Sequence, residues 1–446
     1  RCPQSNNGCS NPIVTTLHDD AMTDQAMKND AISNNDAWPD NAVRNDAMNH
    51  AATSNGVLSN DYQIAICGAG PVGMVLAALL AQRGIAPGQI ALLDAKTLAQ
   101  ASLDPRSIAL SYGSRQILEE VGAWPIEATP IHQIHVSRRG HFGRSLIDRA
   151  EHGLEALGYV ARYGALVTRL GTVLQRLGVE ALRPTRVRSC SAEPDRMVLK
   201  LDTGADQQRT LEAALVVQAE GGLFNDTSGM RSDDEKKAQK SRLKDYQQSA
   251  LIAEVRTSAP VAQRAFERFT DEGPLALLPQ DGGYALVWCV RPDTASALLA
   301  LGDTAFLAEL GRAFGNRLGR FTHASARLAY PLGLRVDAND SARMVAIGNG
   351  AQTLHPVAGQ GLNLGLRDAT VLARVLSQGV NPAQLTRYRA LRQQDRALTV
   401  RMTDTLARLF ADTAPTQALL GAALGIVDIV PPARHLLAEL MMFGRR

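Results

Sequence analysis

The sequence of 446 residues has few cysteines, little net charge and no long apolar run. Five cysteines are too few for a disulfide scaffold and none has metal-ligand spacing, so we expect reduced thiols and no metal site. No apolar stretch reaches the roughly 18–20 residues of a membrane-spanning helix. A formal net charge of +3 is too small for a nucleic-acid-binding protein, so we predict no nucleic acid partner.

The beginning of the chain lacks the basic start and apolar core of a secretory signal, which together with the sparse cysteines predicts a cytoplasmic protein. Residues 1–60 are rich in Asn, Asp, Ala and Ser and contain a loose repeat, seen in KNDAI and RNDAM. Such a composition cannot bury enough apolar surface to offset the entropy of ordering the chain. We therefore predict a disordered tail without a catalytic role.

The ordered part is predicted to begin with a βαβ unit. Ile64–Cys67 is a short apolar run typical of a buried parallel strand. Apolar residues at helical spacing follow from Val72 to Leu80 and end before Gly84. Gln89–Ala95 (QIALLDA) is predicted to be the next strand.

Gly68, Gly70 and Gly73 form a G-x-G-x-x-G pattern between the first strand and the helix. The first glycine permits a tight turn, the second lets a pyrophosphate approach the backbone, and the third allows close helix–strand packing. The helix N-terminus offers free N–H groups to phosphates. Asp94 ends the second strand, where an acid binds the adenosine ribose. The pattern predicts a site for NAD or FAD, with a purely structural turn as the alternative.

The middle of the chain predicts a second, mixed β-sheet. Leu211–Gly222 is predicted to be a strand that ends in a glycine turn, and the charged run Asp233–Lys244 a surface insertion. Further strand-like runs are Ser249–Val255, Pro274–Pro279 and Tyr284–Val290. An Asp-Gly-Gly turn signal at 281–283 separates the last two. After Gly365 the pattern is helical.

A second glycine-rich stretch, Ile347–Gly365 (IGNGAQTLHPVAGQGLNLG), follows far from the first. Two more segments accompany it, Asp104–Trp124 and Phe266–Pro279 (FERFTDEGPLALLP). With the first glycine turn, and in this order, they strongly resemble the FAD-dependent aromatic hydroxylases of ubiquinone biosynthesis. The resemblance covers most of the chain after Asp61 and is nearest to the 2-polyprenyl-6-methoxyphenol hydroxylases.

The resemblance implies the residues that contact FAD. They are Gly68, Gly70, Gly73, Asp94, Arg106, Gly348, Asn349, Pro356, Gly359, Gly361, Leu362 and Asn363. Arg106 matches an arginine near the flavin, with a surface ion pair as its alternative role. Asn349 stands where the family has an acid that contacts ribose or ribityl hydroxyls, and an amide also bonds hydroxyls. The loop Pro356–Asn363 matches the one packed on the isoalloxazine, where N–H groups favour negative charge on the reduced ring.

The resemblance also implies the reaction. The enzyme would use NAD(P)H and O₂, through a flavin C4a-hydroperoxide, to hydroxylate a polyprenylated phenol. A single G-x-G-x-x-G fits a nicotinamide that binds transiently, although Glu220 replaces the aspartate of a segment linked to NAD(P)H contacts. His355 is the candidate general base, with a structural histidine as the alternative. Candidates for an apolar pocket, with general core as the alternative, are Leu275, Leu277, Leu278 and Trp288.

Two other functions stay open. One is an FAD monooxygenase acting on a small soluble aromatic compound. The other is a non-catalytic subunit of an assembly of ubiquinone-biosynthesis proteins, suggested by the departures at Asn349 and Glu220. An NAD-dependent dehydrogenase is disfavoured, because that class has no need of the stretch Ile347–Gly365.

The C-terminal region predicts amphipathic helices. Their apolar face comprises Leu385, Tyr388, Leu391, Leu398 and Met402, and the interspersed arginines are Arg387, Arg392, Arg396 and Arg401. Ala418–Val430 is too short to span a bilayer. We predict a packed helix or a partner contact, with peripheral docking at the inner face of the membrane as the alternative.

The predicted fold is α/β (α+β mixed), with a Rossmann-like FAD-binding domain, an interleaved mixed-sheet substrate domain and C-terminal helices. The predicted parts are a tail (1–60), the FAD-binding domain (61–222), the substrate domain (223–335), the second part of the FAD-binding domain (336–380) and a helical region (381–446).

Overall fold

Residues 57–139, 144–203, 208–220, 243–336, 341–353, 360–393 and 395 are described by a computed structural model. The strands are β1 (Val57–Cys67), β2 (Ile90–Leu93), β3 (Ser107–Ser111), β4 (Ala128–Ile131), β5 (Gln133–Arg138), β6 (Arg144–Asp148), β7 (Gly158–Arg162), β8 (Ala181–Leu182), β9 (Arg186–Ala192), β10 (Met197–Asp202), β11 (Gln208–Gln218), β12 (Leu243–Thr257), β13 (Arg264–Phe269), β14 (Pro274–Gln280), β15 (Gly283–Val290), β16 (Phe321–Ala324), β17 (Leu328–Val336), β18 (Met344–Ala346) and β19 (Gln352–Thr353). The helices are α1 (Pro71–Gln82), α2 (Leu98–Ser102), α3 (Tyr112–Glu120), α4 (Tyr163–Leu177), α5 (Pro292–Ala300), α6 (Asp303–Phe314), α7 (Gln360–Leu376) and α8 (382–393).

The predicted βαβ unit lies in a seven-stranded sheet. Its strands follow the order β8-β2-β1-β11-β10-β9, with β18 beside β11. β1 pairs in parallel with β2 and β11, and β11 pairs in parallel with β18. β9, β10 and β11 form an antiparallel extension. The strands predicted around Ile64, Ala91 and Leu215 are confirmed as β1, β2 and β11.

Helix α1 follows β1 directly, as predicted. Pro71 lies in its first turn, where a missing N–H group costs no helical hydrogen bond. The helix is buried from Gly73 to Leu80 because it packs against α4 and α7 as well as the sheet. Gly84 follows the helix with a φ of +94°, which glycine adopts without strain.

The predicted mixed sheet has nine strands. Eight follow the order β19-β17-β12-β15-β14-β13-β5-β6, and β16 lies beside β12. The hairpin between β14 and β15 is confirmed; Asp281 and Gly282 have φ values of 49° and 73°, as a type I′ turn requires. β13 and β5 are parallel, whereas the other pairs are antiparallel, so the sheet is mixed. β5 and β6 come from early in the chain, before α4.

One face of the nine-stranded sheet is covered by α5 and α6. Leu275, Leu277 and Trp288 belong to this core together with Phe306 and Phe314 of α6. Three of the four residues predicted as candidates for an apolar pocket therefore belong to the general core, which was their alternative role. The fourth, Leu278, lies on the other face and packs near β4 and β7.

A three-stranded sheet, ordered β3-β7-β4, connects the two larger sheets. Arg162, the last residue of β7, forms ion pairs with Glu254 of β12 and Asp281. The Ser107 hydroxyl of β3 donates to the side-chain oxygen of Gln280 in β14. These bonds hold the second sheet against the region that follows Arg106.

Several predictions fall on residues outside the described ranges. They concern residues 1–56 of the predicted tail, residues 233–242 of the predicted insertion and the chain from residue 396 onward. Residues 57–60, predicted to end the tail, belong instead to β1, which pairs with β11 from Val57. Leu243 and Lys244, predicted to end the insertion, begin β12. In α8, Leu385 and Tyr388 are buried as predicted, but Leu391 is 55% exposed and Arg392 is buried instead. Within the described ranges, no helix is both long and apolar enough to cross a membrane.

Candidate functional site

Close backbone packing shapes the first glycine turn. Gly68 has a φ of +107°, and a Cβ there would lie 2.7 Å from the backbone nitrogen of Glu220. A Cβ at Gly73 would lie 2.0 Å from the carbonyl oxygen of Gly68. Side chains cannot be accommodated at these distances, so the first and third glycines serve the turn and the strand–helix contact, as the motif predicts.

Gly70 differs from Gly68 and Gly73 because no backbone atom packs against the place of its missing side chain. A Cβ there would meet only the Tyr163 hydroxyl, at 3.2 Å. Gly70 is also the N-cap of α1, and no side chain caps this helix end. The N–H groups of the first turn and the positive end of the helix dipole can therefore bind an anionic group.

Asp94 lies immediately after β2 and fastens the glycine turn. One carboxylate oxygen accepts a hydrogen bond of 2.8 Å from the Ala69 N–H group, and the other accepts one of 2.8 Å from Lys96 N–H. The Arg183 guanidinium donates to the Ala69 carbonyl oxygen, so it borders the same turn. Each carboxylate oxygen of Asp94 keeps a lone pair for a ligand hydroxyl.

Glu220 brings a second acid to this end of the site. It follows β11 and lies close enough to Asp94 that burial, together with the charge of Asp94, raises the pKa of the Glu220 carboxyl. The charge of Arg186 acts in the opposite direction. Two acids beside an uncapped helix end suit a ligand that presents hydroxyl groups next to phosphates.

Arg106 is held in a bidentate ion pair. Its Nε and Nη2 atoms donate to Asp104 at 2.9 and 2.7 Å, and the guanidinium carbon lies 4.8 Å from the centre of the Tyr163 ring. The hydrogen bonds and charge of Asp104 raise the pKa of Arg106 despite its partial burial. The ion pair proposed as the alternative is therefore formed, and it also fixes the cation beside the residue that faces Gly70.

The second glycine stretch lies directly against the first. Gly348, with a φ of +57°, begins a single helical turn after β18, and a Cβ there would lie 3.5 Å from Val72 of α1. A Cβ at Gly365 of α7 would lie 2.7 Å from the same valine side chain. The close approach requires glycine at position 365, whereas at position 348 the positive φ requires it, and the two segments meet at the N-terminal part of α1.

A buried ion-pair network supports this second turn. The Gly348 N–H group donates to Asp368 at 3.0 Å, and Arg392 of α8 donates to the other oxygen of Asp368 at 2.7 Å. Asp395 pairs with Arg392 and, at 3.4 Å, with Arg367. Asp368 is completely buried, so helix α8 stabilises the turn through charges withdrawn from water.

Asn363 has its side chain engaged inside the protein. Its amide oxygen accepts bonds of 2.9 Å from the Ser111 N–H group and 2.7 Å from the Ser114 hydroxyl, and its nitrogen donates to Ala109 at 3.1 Å. The residue thus ties the start of α7 to β3 and α3. Any contact between Asn363 and a flavin would involve the backbone.

Other predicted contacts lie around the start of α7. A Cβ at Gly361 would lie 3.2 Å from the side-chain oxygen of Asn349, so these two residues are adjacent. Leu362 is half-buried and packs on the main core. His355, Pro356 and Gly359 lie outside the described residues.

Motif spacing does not identify four residues that contact the site: Arg183, Asp104, Asp368 and Arg392. Asp104 lies in the segment Asp104–Trp124 and Asp368 follows the second glycine stretch, but no spacing in the sequence marks them as partners of an arginine or of a glycine N–H group. Helical spacing predicts Arg392 among the arginines between the apolar positions, because spacing alone does not reveal that Asp368 lies buried beside it.

The described groups fit FAD. Gly70 and the uncapped N-terminus of α1 suit a diphosphate, and the carboxyl groups of Asp94 and Glu220 suit ribose hydroxyls. The turn at Gly348 and Asn349 lies at the same helix end, where one extended cofactor would reach both stretches. When bound, FAD would supply hydride acceptance and oxygen activation, while Asp94, Gly70 and Asn349 would hold it.

Comparison with known proteins agrees with this geometry. Residues 61–403 match the family described as the FAD binding domain. The chain is 33% identical to the ubiquinone hydroxylase UbiL of Rhodospirillum rubrum over 84% of its own length and 87% of the relative's. It is 30% identical to the 3-demethoxyubiquinol 3-hydroxylase of Escherichia coli, over 70% of this chain and 79% of that protein.

Solved structures share the fold. The p-nitrophenol 4-monooxygenase PnpA of Pseudomonas putida superposes with a TM-score of 0.67, covering 86% of this chain and 99% of the other at 18% identity. The superposition supports the predicted mixed α/β fold. The sequence identity is too low to support any inference about the substrate.

Proposed function

The chain belongs to the family of the FAD binding domain, and we propose that it hydroxylates a polyprenylated phenol. The similarity to hydroxylases of ubiquinone biosynthesis supports this substrate class. The protein is an FAD-dependent aromatic hydroxylase. Its similarity to ubiquinone hydroxylases of two bacteria assigns it to ubiquinone biosynthesis. The observation that carries the cofactor assignment is the contact of both glycine stretches with Val72.

The proposed reaction inserts one oxygen atom of O₂ into an aromatic C–H bond. The other oxygen atom leaves as water, and NAD(P)H with one proton supplies the two electrons required. Transfer of oxygen through the flavin C4a position and the nicotinamide donor both stay predictions. The protein contributes binding, orientation and exclusion of water.

The chain's own residues have separable proposed roles. Gly70 and the first turn of α1 bind the diphosphate, and Asp94 binds the adenosine ribose. Asn349 bonds to ribose or ribityl hydroxyls. Arg106, kept charged and oriented by Asp104, faces the anionic part of the cofactor. His355 as general base stays a prediction.

Two alternatives make different predictions. A hydroxylase of a small soluble aromatic would turn over unprenylated phenols as well as prenylated ones. A non-catalytic subunit would fail to oxidise NAD(P)H with either. Contact with a membrane surface and with other ubiquinone-biosynthesis proteins is likewise a proposal, which the apolar character of the prenyl chain supports.

The purified holoprotein tests the proposal directly. Incubation with NADH or NADPH, ¹⁸O₂ and a short-chain prenylated methoxyphenol should give a product carrying one ¹⁸O atom, identified by mass spectrometry. A parallel reaction in H₂¹⁸O under ordinary O₂ should give an unlabelled product. Protein that retains FAD but forms no product from any prenylated phenol would contradict the substrate assignment.

Deleting the gene from its host tests the place of the reaction. A polyprenylated phenol lacking one hydroxyl group should accumulate, and the ubiquinone pool should fall. An unchanged quinone pool would count against a role in ubiquinone biosynthesis.

A further inference from the structure

A row of side chains crosses the nine-stranded sheet on the face opposite α5 and α6. Strand pairing places its members next to one another across six strands. In order from β5 to β17 they are Val136, Glu267, Ala276, Val287, Ile252 and Leu328. Each is partly exposed, and Leu328 is 46% exposed. We call this set the cross-strand row; five of its six members are apolar.

The neighbouring rows place the cross-strand row beside the candidate flavin site. On one side, Ala265 and Leu278 pack against Val160 of β7, in the small sheet that contains β3. On the other side, Tyr330 of β17 lies close enough to Arg106 to raise the pKa of its guanidinium. β17 also pairs with β19, part of the second glycine stretch. The row therefore lies on the sheet face that the flavin-binding residues border.

Glu267 is the one charged member of the row. Its Oε1 atom is inaccessible to solvent and has no hydrogen-bond partner among the described residues. Burial raises the pKa of this carboxyl to about 7, so a large fraction is neutral near neutral pH. The Cys289 thiol lies near enough for the charge of Glu267 to raise the thiol pKa further, beyond the effect of burial.

An acid in this position requires an explanation. A buried oxygen atom without a hydrogen bond, such as Oε1 of Glu267, destabilises the folded protein because it has given up water without gaining a partner. Neither the packing of the apolar neighbours nor an ion pair in the described structure offsets that cost. A ligand that lies along the row and presents an oxygen atom to the carboxyl would do so.

We propose that Glu267 is a substrate-binding residue whose carboxyl group hydrogen-bonds a hydroxyl group on the aromatic ring. The apolar members of the row contact the hydrocarbon part of the same substrate. A neutral carboxyl can donate its proton and accept one, so it matches a phenol more closely than a carboxylate does. The proposal deepens the proposed function and depends on a phenolic substrate.

The test measures binding of two probes to the holoenzyme. The probes are a short-chain 2-prenylphenol and the prenylbenzene that lacks its hydroxyl group, with dissociation constants taken from the change in flavin absorbance. The wild type and Glu267→Gln should bind the phenol about tenfold more tightly than the prenylbenzene, the effect of one hydrogen bond. Glu267→Met should bind the two probes equally.

Glu309→Met provides the matched control, because it makes the same substitution at a residue of α6 whose side chain is 42% exposed and ion-paired with Arg312. It should leave both dissociation constants unchanged. Glu267→Met should keep its FAD and a melting temperature at or above that of the wild type, because it replaces an unpaired buried acid with an apolar side chain. The variant therefore separates substrate recognition from folding.

Several results would overturn the proposal. Glu267→Met could retain the tenfold preference for the phenol, or the wild type could show no preference. Glu267→Gln, which keeps a hydrogen-bonding side chain, could bind the two probes equally. A wild type that forms no hydroxylated product from any prenylated phenol would refute the proposed function itself, whereas the binding comparison isolates the role of Glu267.

Discussion

The two glycine stretches meet at α1 but are shaped by different kinds of contact. In Gly68–Gly73, the clashes that exclude side chains come from the turn itself and from Ala219 and Glu220, directly after β11. In the second stretch, Gly365 is constrained by Val72, far away in sequence, and Gly348 by its positive φ, and Asp368 holds the turn through the Gly348 N–H group. The first stretch is a local motif found in many proteins. The contacts that shape the second stretch form only when the chain has folded.

The largest effect is expected in the local motif. Gly73→Ala places a Cβ about 2 Å from the Gly68 carbonyl oxygen, and relief of that clash must move β1 and α1 apart. We expect complete loss of retained FAD and a fall in unfolding free energy of about 3 kcal/mol. Absorbance spectra and denaturant unfolding measure the two quantities.

Gly88→Ala is the control for Gly73→Ala, because no atom lies within 4 Å of a Cβ at Gly88. It should bind FAD normally and unfold at the wild-type denaturant concentration. Retention of FAD by Gly73→Ala would show that the first turn tolerates expansion and that its glycines do not set the cofactor site.

The next effect concerns the long-range network under the second stretch. Arg392→Met leaves Asp368 buried without its cationic partner, which costs about 4 kcal/mol of unfolding free energy. The loss of support for Gly348 should also weaken FAD binding. Calorimetry and FAD titration would measure these changes.

Arg387→Met makes the same change at an exposed arginine of α8. Its effect should stay within about 0.5 kcal/mol. Equal effects of the two substitutions would mean that the buried network does not hold the second stretch.

A smaller effect is expected where the second stretch joins β3. Asn363→Ala removes the acceptor of the Ser111 N–H group and the Ser114 hydroxyl, both buried. Because two buried donors would lose their acceptor, we expect the unfolding free energy to fall by about 2 kcal/mol. FAD should still bind, more weakly, because the backbone of α7 is unchanged. A loss below about 0.5 kcal/mol would indicate that water replaces the amide.

The smallest effect tests the residue that departs from the family pattern. Asn349→Asp restores an acid beside Gly361, and hydrogen bonds from hydroxyls to a carboxylate are stronger than those to an amide. We expect FAD to bind about threefold more tightly, measured by fluorescence titration of the apoprotein. Substantially weaker binding would show that the amide N–H group is needed as a donor.

Some of the site was predictable because its determinants are local. A strand, three glycines, a helix and Asp94 follow one another within a single βαβ unit, so spacing alone brings them together. The β14–β15 hairpin was predictable for the same reason, since Asp281 and Gly282 adopt the positive φ values its turn requires.

Other features depend on strands and helices that are distant in sequence. Helical spacing placed Leu391 on the apolar face and Arg392 among the charged residues, but α8 buries Arg392 against Asp368 and exposes Leu391. Glu267 lies in a segment that carried the family resemblance, yet its burial follows only from the pairing of β13 with β5 and β14. The spacing of residues within one segment does not reveal which distant strands and helices will pack against it.

The sequence by itself determined the family, the cofactor and the first glycine turn, because those depend on residue types at fixed short spacings. The tertiary structure alone decided that Val72 joins the two glycine stretches, that Asp368 and Arg392 support the second, and that Glu267 lies in an apolar row. The physical reason is that burial and partnership are properties of the folded chain: a carboxylate acquires its partner, or lacks one, only when distant strands and helices exclude water from it.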